Sequence, residues 1–332
     1  MIHKSPKIIF FGTPQFSVII LQKLIQSGFV PSAVVTAPDK PAGRGQKISR
    51  SPVKVLAQSH GIPIFQPEKA SDESFLNALN NVKPDVFVIA AYGKILPKKL
   101  LDIPLKGTLN VHPSLLPRHR GPSPIQASIL TGDKDTGVTL MLTDEKMDHG
   151  PIISNCKFQI ANRDEITYRE LHDKLANLGG ELLVETLPKW IAGEIKPLPQ
   201  NHEQATYTKL LTKEDGHIDW SKSAEEIDRR VRALNPWPGT WSFMTFGSPT
   251  SDYEYSEVGL PKVFKRIKIL AGHPTNEPST AKPGTLLKTK NGQWAACTGD
   301  SLFVLETVQM EGKKITNGSS FQENSSGFSS FF

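Results

Sequence analysis

Five short apolar runs, separated by helical patterns and loops, constrain this chain more than any other feature. They are KIIFF (7–11), AVVTA (33–37), IPIF (62–65), DVFVIAA (85–91) and GTLNVH (107–112). Most are nearly continuous in apolar residues and do not alternate, which marks strands buried on both faces. Between the first two, Phe16, Ile19, Ile20 and Leu24 fall at helical spacing and Gly28 ends the pattern. Ser51 followed by Pro52 is a cap and first-turn signal for a second helix, and residues 72–80 carry a third. The alternation predicts an α/β domain: a parallel sheet with helices on both faces. Ligands in such sheets bind beyond the carboxyl ends of the strands, which directs attention to Gly12, Tyr92 and His112.

After a helical region over 166–190 the pattern changes. Residues 193–206 are polar and carry prolines, as a linker does. One helix (224–234) then precedes short strand-like runs at 263–270, 284–288, 294–298 and 301–309, several of them separated by glycine turns. That pattern predicts a small β-barrel with one helix. The last residues are rich in Ser and Gly and include four phenylalanines. The expected division is a catalytic domain over 1–192, a linker over 193–206, a second domain over 207–316 and a flexible tail over 317–332.

Several classes of chemistry are disfavoured. Gly12-Thr13-Pro14 after the first strand is not the GxGxxG of a dinucleotide site. His112 and His119 lack the helical spacing of a metal pair and no cysteine joins them, so no metal is expected. Ser114 has no nucleophile elbow around it. Two cysteines far apart, Cys156 and Cys297, fit a reducing, cytoplasmic setting without disulfides. No run approaches the roughly 20 apolar residues of a membrane span. The net charge of +6 fits an acidic partner but does not identify one.

Three segments carry chemistry-bearing residues. In LNVHPSLLPRHRG (109–121), Asn110 and His112 stand two apart at a strand's end, so they share a face and aim at one point. Asp148 stands in DEKMDHGP (144–151) after another strand-like run. A carboxylate meeting His112 would favour the charged ring, and the set would suit a developing oxyanion with one group to manage a proton. In the loop 38–50, Lys40, Arg44, Lys47 and Arg50 face a single acid, Asp39, with a glycine on each side of Arg44. Cations so spaced suit a phosphate backbone. They also suit an ordinary solvated loop.

The segments NVHPSLLPRHRGPSPIQ, MDHGPI, TAPDKPAGRGQKISRSPVKVLA and VRALNPWPGTW together resemble the methionyl-tRNA formyltransferase family, within the folate-dependent formyltransferases. The resemblance runs over nearly the whole chain. It implies a Rossmann-like N-terminal formyltransferase domain and a C-terminal OB-like barrel. The implied donor is 10-formyltetrahydrofolate, with no metal. The implied acceptor is initiator methionyl-tRNA, without a DNA or membrane partner, and the protein is expected to be a monomer. It carries over Asn110, His112 and Asp148 as the catalytic set. Ser114, Leu115, Leu116 and Pro117, with Tyr92, Ile95 and Leu96 beside the pterin, become the folate site. Lys40, Arg44, Lys47 and Arg50 become tRNA contacts. Pro113 and His149 depart from the family's usual small residues, and the tail after Lys314 does not match. The Asn-x-His…Asp set is shared across folate-dependent formyltransferases. Acceptors such as a glycinamide ribonucleotide or a sugar nucleotide are therefore the rival readings; the first would not need the second domain or the basic loop, the PAGRG loop disfavours the second, and intact Asn110, His112 and Asp148 argue against a catalytically silent RNA-binding role.

Overall fold

The structure, a computed structural model, describes residues 6–42, 47–161, 165–246, 264–321 and 328–331. It divides into two units. The first runs to Ser128 and resumes over Lys134–Ala161 and Arg169–Leu210; the second takes Ile129–Asp133, a segment ending at Tyr168, and Leu211 onward.

The first unit begins with β1 (Ile8–Gly12), α1 (Gln15–Gln26), β2 (Ala33–Val35), β3 (Lys40–Ala42), β4 (Lys47–Ser49), α2 (Pro52–Ser59) and β5 (Ile64–Phe65). It continues through α3 (Glu73–Val82), β6 (Val86–Ala90), α4 (Lys98–Leu101), β7 (Thr108–His112), α5 (Pro124–Leu130), β8 (Asp135–Leu142), β9 (Ile152–Gln159) and the long α6 (Tyr168–Ala192). Seven strands form one sheet in the order β5-β2-β1-β6-β7-β8-β9. The first five are mutually parallel, as their unbroken apolar runs require. β8 and β9 add antiparallel at one edge. Every residue of β1 and β6 is buried. Removing a ring such as Phe11 from this core should cost about 3–5 kcal/mol. The chain leaves β1 in one direction to β2 and β5 and returns to β6 on the other side. The order therefore reverses between β1 and β6, the switch point at whose carboxyl ends sheets of this kind bind ligands. There Thr13 Oγ1 donates to the Tyr92 carbonyl at 3.4 Å.

The basic segment, a loop in the sequence reading, is a two-stranded hairpin in its described part. Lys40 pairs with Ser49, and Pro41 with Ile48. Its base is fixed by a polar knot: Lys54 Nζ donates to Asp39 Oδ2 at 2.6 Å and to Gln66 Oε1 at 2.7 Å, while Gln66 Nε2 donates to Asp39 Oδ1 and the Ala37 carbonyl, each at 2.8 Å. Local composition favours a loop here, and no local pattern announces Gln66, which ties the base.

The second unit holds α7 (Ala224–Leu234), β10 (Thr240–Phe246), β11 (Phe264–Pro278), β12 (Leu286–Lys288), β13 (Trp294–Cys297), β14 (Ser301–Met310), β15 (Thr316–Asn317) and β16 (Phe328–Phe331). Ser223 and Glu226 form a reciprocal cap that starts α7. The strands follow the order β12-β13-β14-β11-β10-β16, with β15 on β14. A bridge from Thr285 to Ser330 and the bond from Phe331 N to the Gly284 carbonyl, 2.7 Å, bring the last strand back to the first, so the barrel is nearly closed. The expectation of a flexible tail is corrected for residues 317–321 and 328–331. Phe331 is 3% exposed and stacks on Trp220 with ring centres 5.0 Å apart. Serine and glycine in the tail masked an aromatic whose burial helps close the core.

Candidate active site

β7 positions the first two groups. Asn110 is half-buried and His112 buried at the strand's end, on one face as their spacing requires. β8 runs antiparallel to β7, with Asn110 opposite Met141 and His112 opposite Thr139. The connection from β8 to β9 then turns back and delivers Asp148. Asn110 Nδ2 donates to Asp148 Oδ1 at 3.2 Å, and His112 Nδ1 lies 3.6 Å from the same oxygen. The other carboxylate oxygen, Oδ2, accepts from the Gly121 amide at 2.7 Å. The three side chains expected to meet therefore border one point.

The ring of His112 is oriented from its far side. Nε2 lies 3.0 Å from the His119 carbonyl, and a carbonyl only accepts, so Nε2 carries a hydrogen. Nδ1 is the nitrogen left facing the carboxylate. Asp148 itself sits at φ +48, a left-handed conformation that costs a non-glycine residue energy. The turn needs that bend because Gly150, two residues on, lies so close to the Leu142 carbonyl that a Cβ there would collide with it.

The loop after β7 is internally satisfied. Ser114 Oγ donates to the Arg118 carbonyl at 2.6 Å, Thr139 Oγ1 donates to the Ser114 carbonyl at 2.7 Å, and the Leu116 amide donates to Thr139 Oγ1 at 3.1 Å. Ser114 and Leu116 are buried, whereas Leu115 and Pro117 are half-exposed. Of the segment after β6, Ile95 is 79% exposed, while Leu96 and Tyr92 pack into the core around Phe11 and Phe87. Burial pushes the Tyr92 phenol up to about 12, and its hydroxyl has no partner among the described residues. Lys40 and Arg50 are exposed on the hairpin; Lys47 contributes its backbone to β4, and Arg44 lies outside the described residues.

A second layer went unseen in the sequence. Arg120 is 1% exposed. Its Nε and Nη2 donate to Gln200 Oε1 at 3.2 and 2.7 Å, Nη2 also meets His202 Nδ1 at 2.8 Å, and Nη1 donates to the Tyr207 hydroxyl at 3.1 Å. Gln200, His202 and Tyr207 come from the stretch read as a linker and the start of the second domain. That stretch belongs to the first unit here. The signal for Arg120 was its place in the motif beside Gly121; polar composition gave none for Gln200. Among the described residues no group of three His, Cys, Asp or Glu is arranged to hold a metal ion.

Set against known proteins, residues 6–187 match the formyl transferase model and residues 210–326 match the formyl transferase C-terminal domain. The chain belongs to the formyl transferase family. A methionyl-tRNA formyltransferase of Enterococcus faecalis is 42% identical over 308 residues, 92% of each chain. One from Roseiflexus castenholzii is 43% identical over 315 residues, 93% of each. Solved structures share the fold at lower identity. The sugar 3N-formyl transferase WlaRD, with dTDP and 5-N-formyl-THF, superposes with a TM-score of 0.61 at 19% identity, covering 94% of this chain and all of that one. HypX from Aquifex aeolicus in complex with tetrahydrofolic acid gives 0.60 at 17%, over 97% of this chain and 47% of that one.

Proposed function

We propose that this chain moves a formyl group from 10-formyltetrahydrofolate to the free amino group of methionyl initiator tRNA. What carries the reading is the 42% identity to a methionyl-tRNA formyltransferase across both domains, in a chain whose Asn110, His112 and Asp148 meet at one point. The sugar formyl transferases share fold alone with it and supply no rival acceptor.

The switch point has the features a folate donor needs. The Tyr92 hydroxyl is a buried polar group awaiting a partner, and the exposed Ile95 with the half-exposed Leu115 and Pro117 offer apolar surface. Tyr92, Ile95, Leu96 and Ser114, Leu115, Leu116 and Pro117 would hold it. Since the Leu116 amide is already spent on Thr139, shape and the remaining carbonyls do most of the holding. The bound donor supplies an activated formyl carbon and departs as tetrahydrofolate.

Asn110 spends one amide hydrogen on Asp148 and keeps the other for the oxygen that gains charge when the amine attacks. His112, its Nε2 hydrogen anchored on the His119 carbonyl, presents Nδ1 to the same region and donates from it as the imidazolium. Donors fixed before the reaction cost no reorganisation during it. Asp148 has lone pairs left after its bonds to Asn110 and Gly121; it takes the proton released by the amine, directly or through water, and passes it to the donor nitrogen as the bond from that nitrogen to the formyl carbon breaks. No covalent enzyme adduct is required. Lys40, Arg44, Lys47 and Arg50 meet the phosphates of the acceptor end. We further assign the enzyme to the cytoplasm as a monomer, with no DNA or membrane partner; no helix among the described residues is long and apolar enough to cross a membrane.

The test is formyl transfer from labelled donor to charged initiator tRNA, run beside glycinamide ribonucleotide and amino-sugar nucleotides. Formylation of the tRNA alone is expected. Transfer to a nucleotide acceptor with none to the tRNA would overturn the assignment.

A further inference from the structure

We infer that Arg120 and Gln200 are positioning residues for Asp148, working as a buried lock that holds the turn carrying the carboxylate. The inference rests on the formyl-transfer reading above and assigns a task to residues 188–209, which lie between the two matched domains.

The starting observation is a buried cation whose side-chain hydrogen-bond partners among the described residues include no acid. A guanidinium at 1% exposure is costly unless it is paired. Its hydrogen-bond partners are an amide oxygen, an imidazole nitrogen and a phenol oxygen. The imidazole is neutral in this contact. Partial removal of its ring from water, then the nearby His149 and Arg120, lower the pKa of His202, whose Nδ1 can accept from Arg120 only when it carries no hydrogen. No ligand can reach a group so enclosed, so whatever Arg120 contributes is transmitted through its neighbours.

Gln200 is the neighbour that leads to the site. Its Oε1 takes two hydrogen bonds from Arg120, and its Nε2 donates to the carbonyls of Asp148 at 2.9 Å and Gly150 at 2.7 Å. The orientation of this amide follows from chemistry. Arginine has no acceptor, so the oxygen must face it, and the two amide hydrogens are thereby aimed at the two carbonyls. Those carbonyls bracket the Asp148 turn, whose left-handed backbone does not hold itself. The backbone around Arg120 closes the same clamp. The Gly121 amide caps Asp148 Oδ2, and Arg120 pairs with the 206–208 segment through its amide to the Thr206 carbonyl, 2.9 Å, and its carbonyl from the Thr208 amide, 2.7 Å. Gly121 is required there: its φ is +108, and a Cβ would sit 2.6 Å from the Thr208 carbonyl oxygen.

Gln200→Glu separates positioning from folding. A carboxylate gives Arg120 a charged partner, so the buried cation stays satisfied. It also replaces two donors with an acceptor facing two carbonyls, which releases the turn. Gln200→Met removes both functions at similar volume and serves as the second variant. Each would be assayed in the full chain for melting temperature, donor KM and the pH profile of kcat. Expected for Gln200→Glu is a melting temperature lowered less than in Gln200→Met, an unchanged donor KM, a kcat lower by about 10–100-fold, and a displaced pH profile. Full kcat, or a loss that tracks melting temperature with the profile unmoved in both variants, would overturn the inference, as would failure of both to fold. An unmodified enzyme inactive toward charged tRNA would instead overturn the function on which the inference rests.

Discussion

The corner where Asn110, His112 and Asp148 meet and the basic hairpin spend polar residues in opposite ways. At the corner the side chains of His112 and Asp148 are 5% and 14% exposed, and each is tied to protein groups on more than one side. On the hairpin Lys40, Ile48 and Arg50 face solvent, and the base is tied by Asp39, Lys54 and Gln66. A dipole held rigid in a low-dielectric setting acts strongly on one atom. A cation held in water acts on a whole phosphate backbone and is screened by salt.

The sharpest break of that comparison is His112→Ala. Turnover should fall by about 10²–10³-fold while donor affinity survives, measured by single-turnover transfer and equilibrium binding. A variant with full activity would remove His112 from the mechanism. Arg44→Ala comes next: kcat/KM for charged tRNA should drop by roughly 10–100-fold, the worth of one charge-assisted bond. Arg44→Lys should recover little, because lysine cannot make a bidentate contact. The salt slope of tRNA binding should shrink by about one, with donor affinity unaffected. If donor binding weakens equally, the hairpin belongs to the folate site and the contrast between the two regions collapses.

Ser114→Ala tests the loop from the other direction. Its hydroxyl is committed to the Arg118 carbonyl, so the loss should register as about 1 kcal/mol of stability and only a small change in donor affinity. A large loss of donor binding would show that the hydroxyl turns outward in the complex. The smallest effect concerns Asp39. Its hydrogen bond from Lys54, then that from Gln66, hold its carboxyl below the ordinary value of 3.8. Stability from this link is therefore fully present above that value and lost as pH falls through the lower folded value. Hydrogen exchange of β3 and β4 should be insensitive to this group near neutrality and rise in acid, and Asp39→Asn should abolish the dependence. An equal acid response in that variant would place the hairpin's anchor elsewhere.

Much of this was legible before any coordinates. The unbroken runs in β1 and β6 predicted buried parallel strands because a strand covered on both faces has no polar side to show. Asn110 and His112 had to share a face because side chains alternate along a strand. The antiparallel edge of β8 and β9 was not separable from the rest, since an apolar run carries no direction. Phe331 looked like part of a tail because its partner, Trp220, is more than a hundred residues away in sequence.

What the sequence by itself determined, then, is everything that depends on neighbours: helices from 3.6-residue spacing, strands from apolar runs, and two of the three groups at the corner. The tertiary structure alone decided the rest. It turned the β8–β9 connection back to Asp148, made residues 193–206 part of the first unit, and set Gln200 between Arg120 and the strained turn. The physical reason is that hydrogen bonds are satisfied in space. Arg120 needs an acceptor once it is buried, and which of the chain's many polar groups supplies it is settled only when distant segments are packed together.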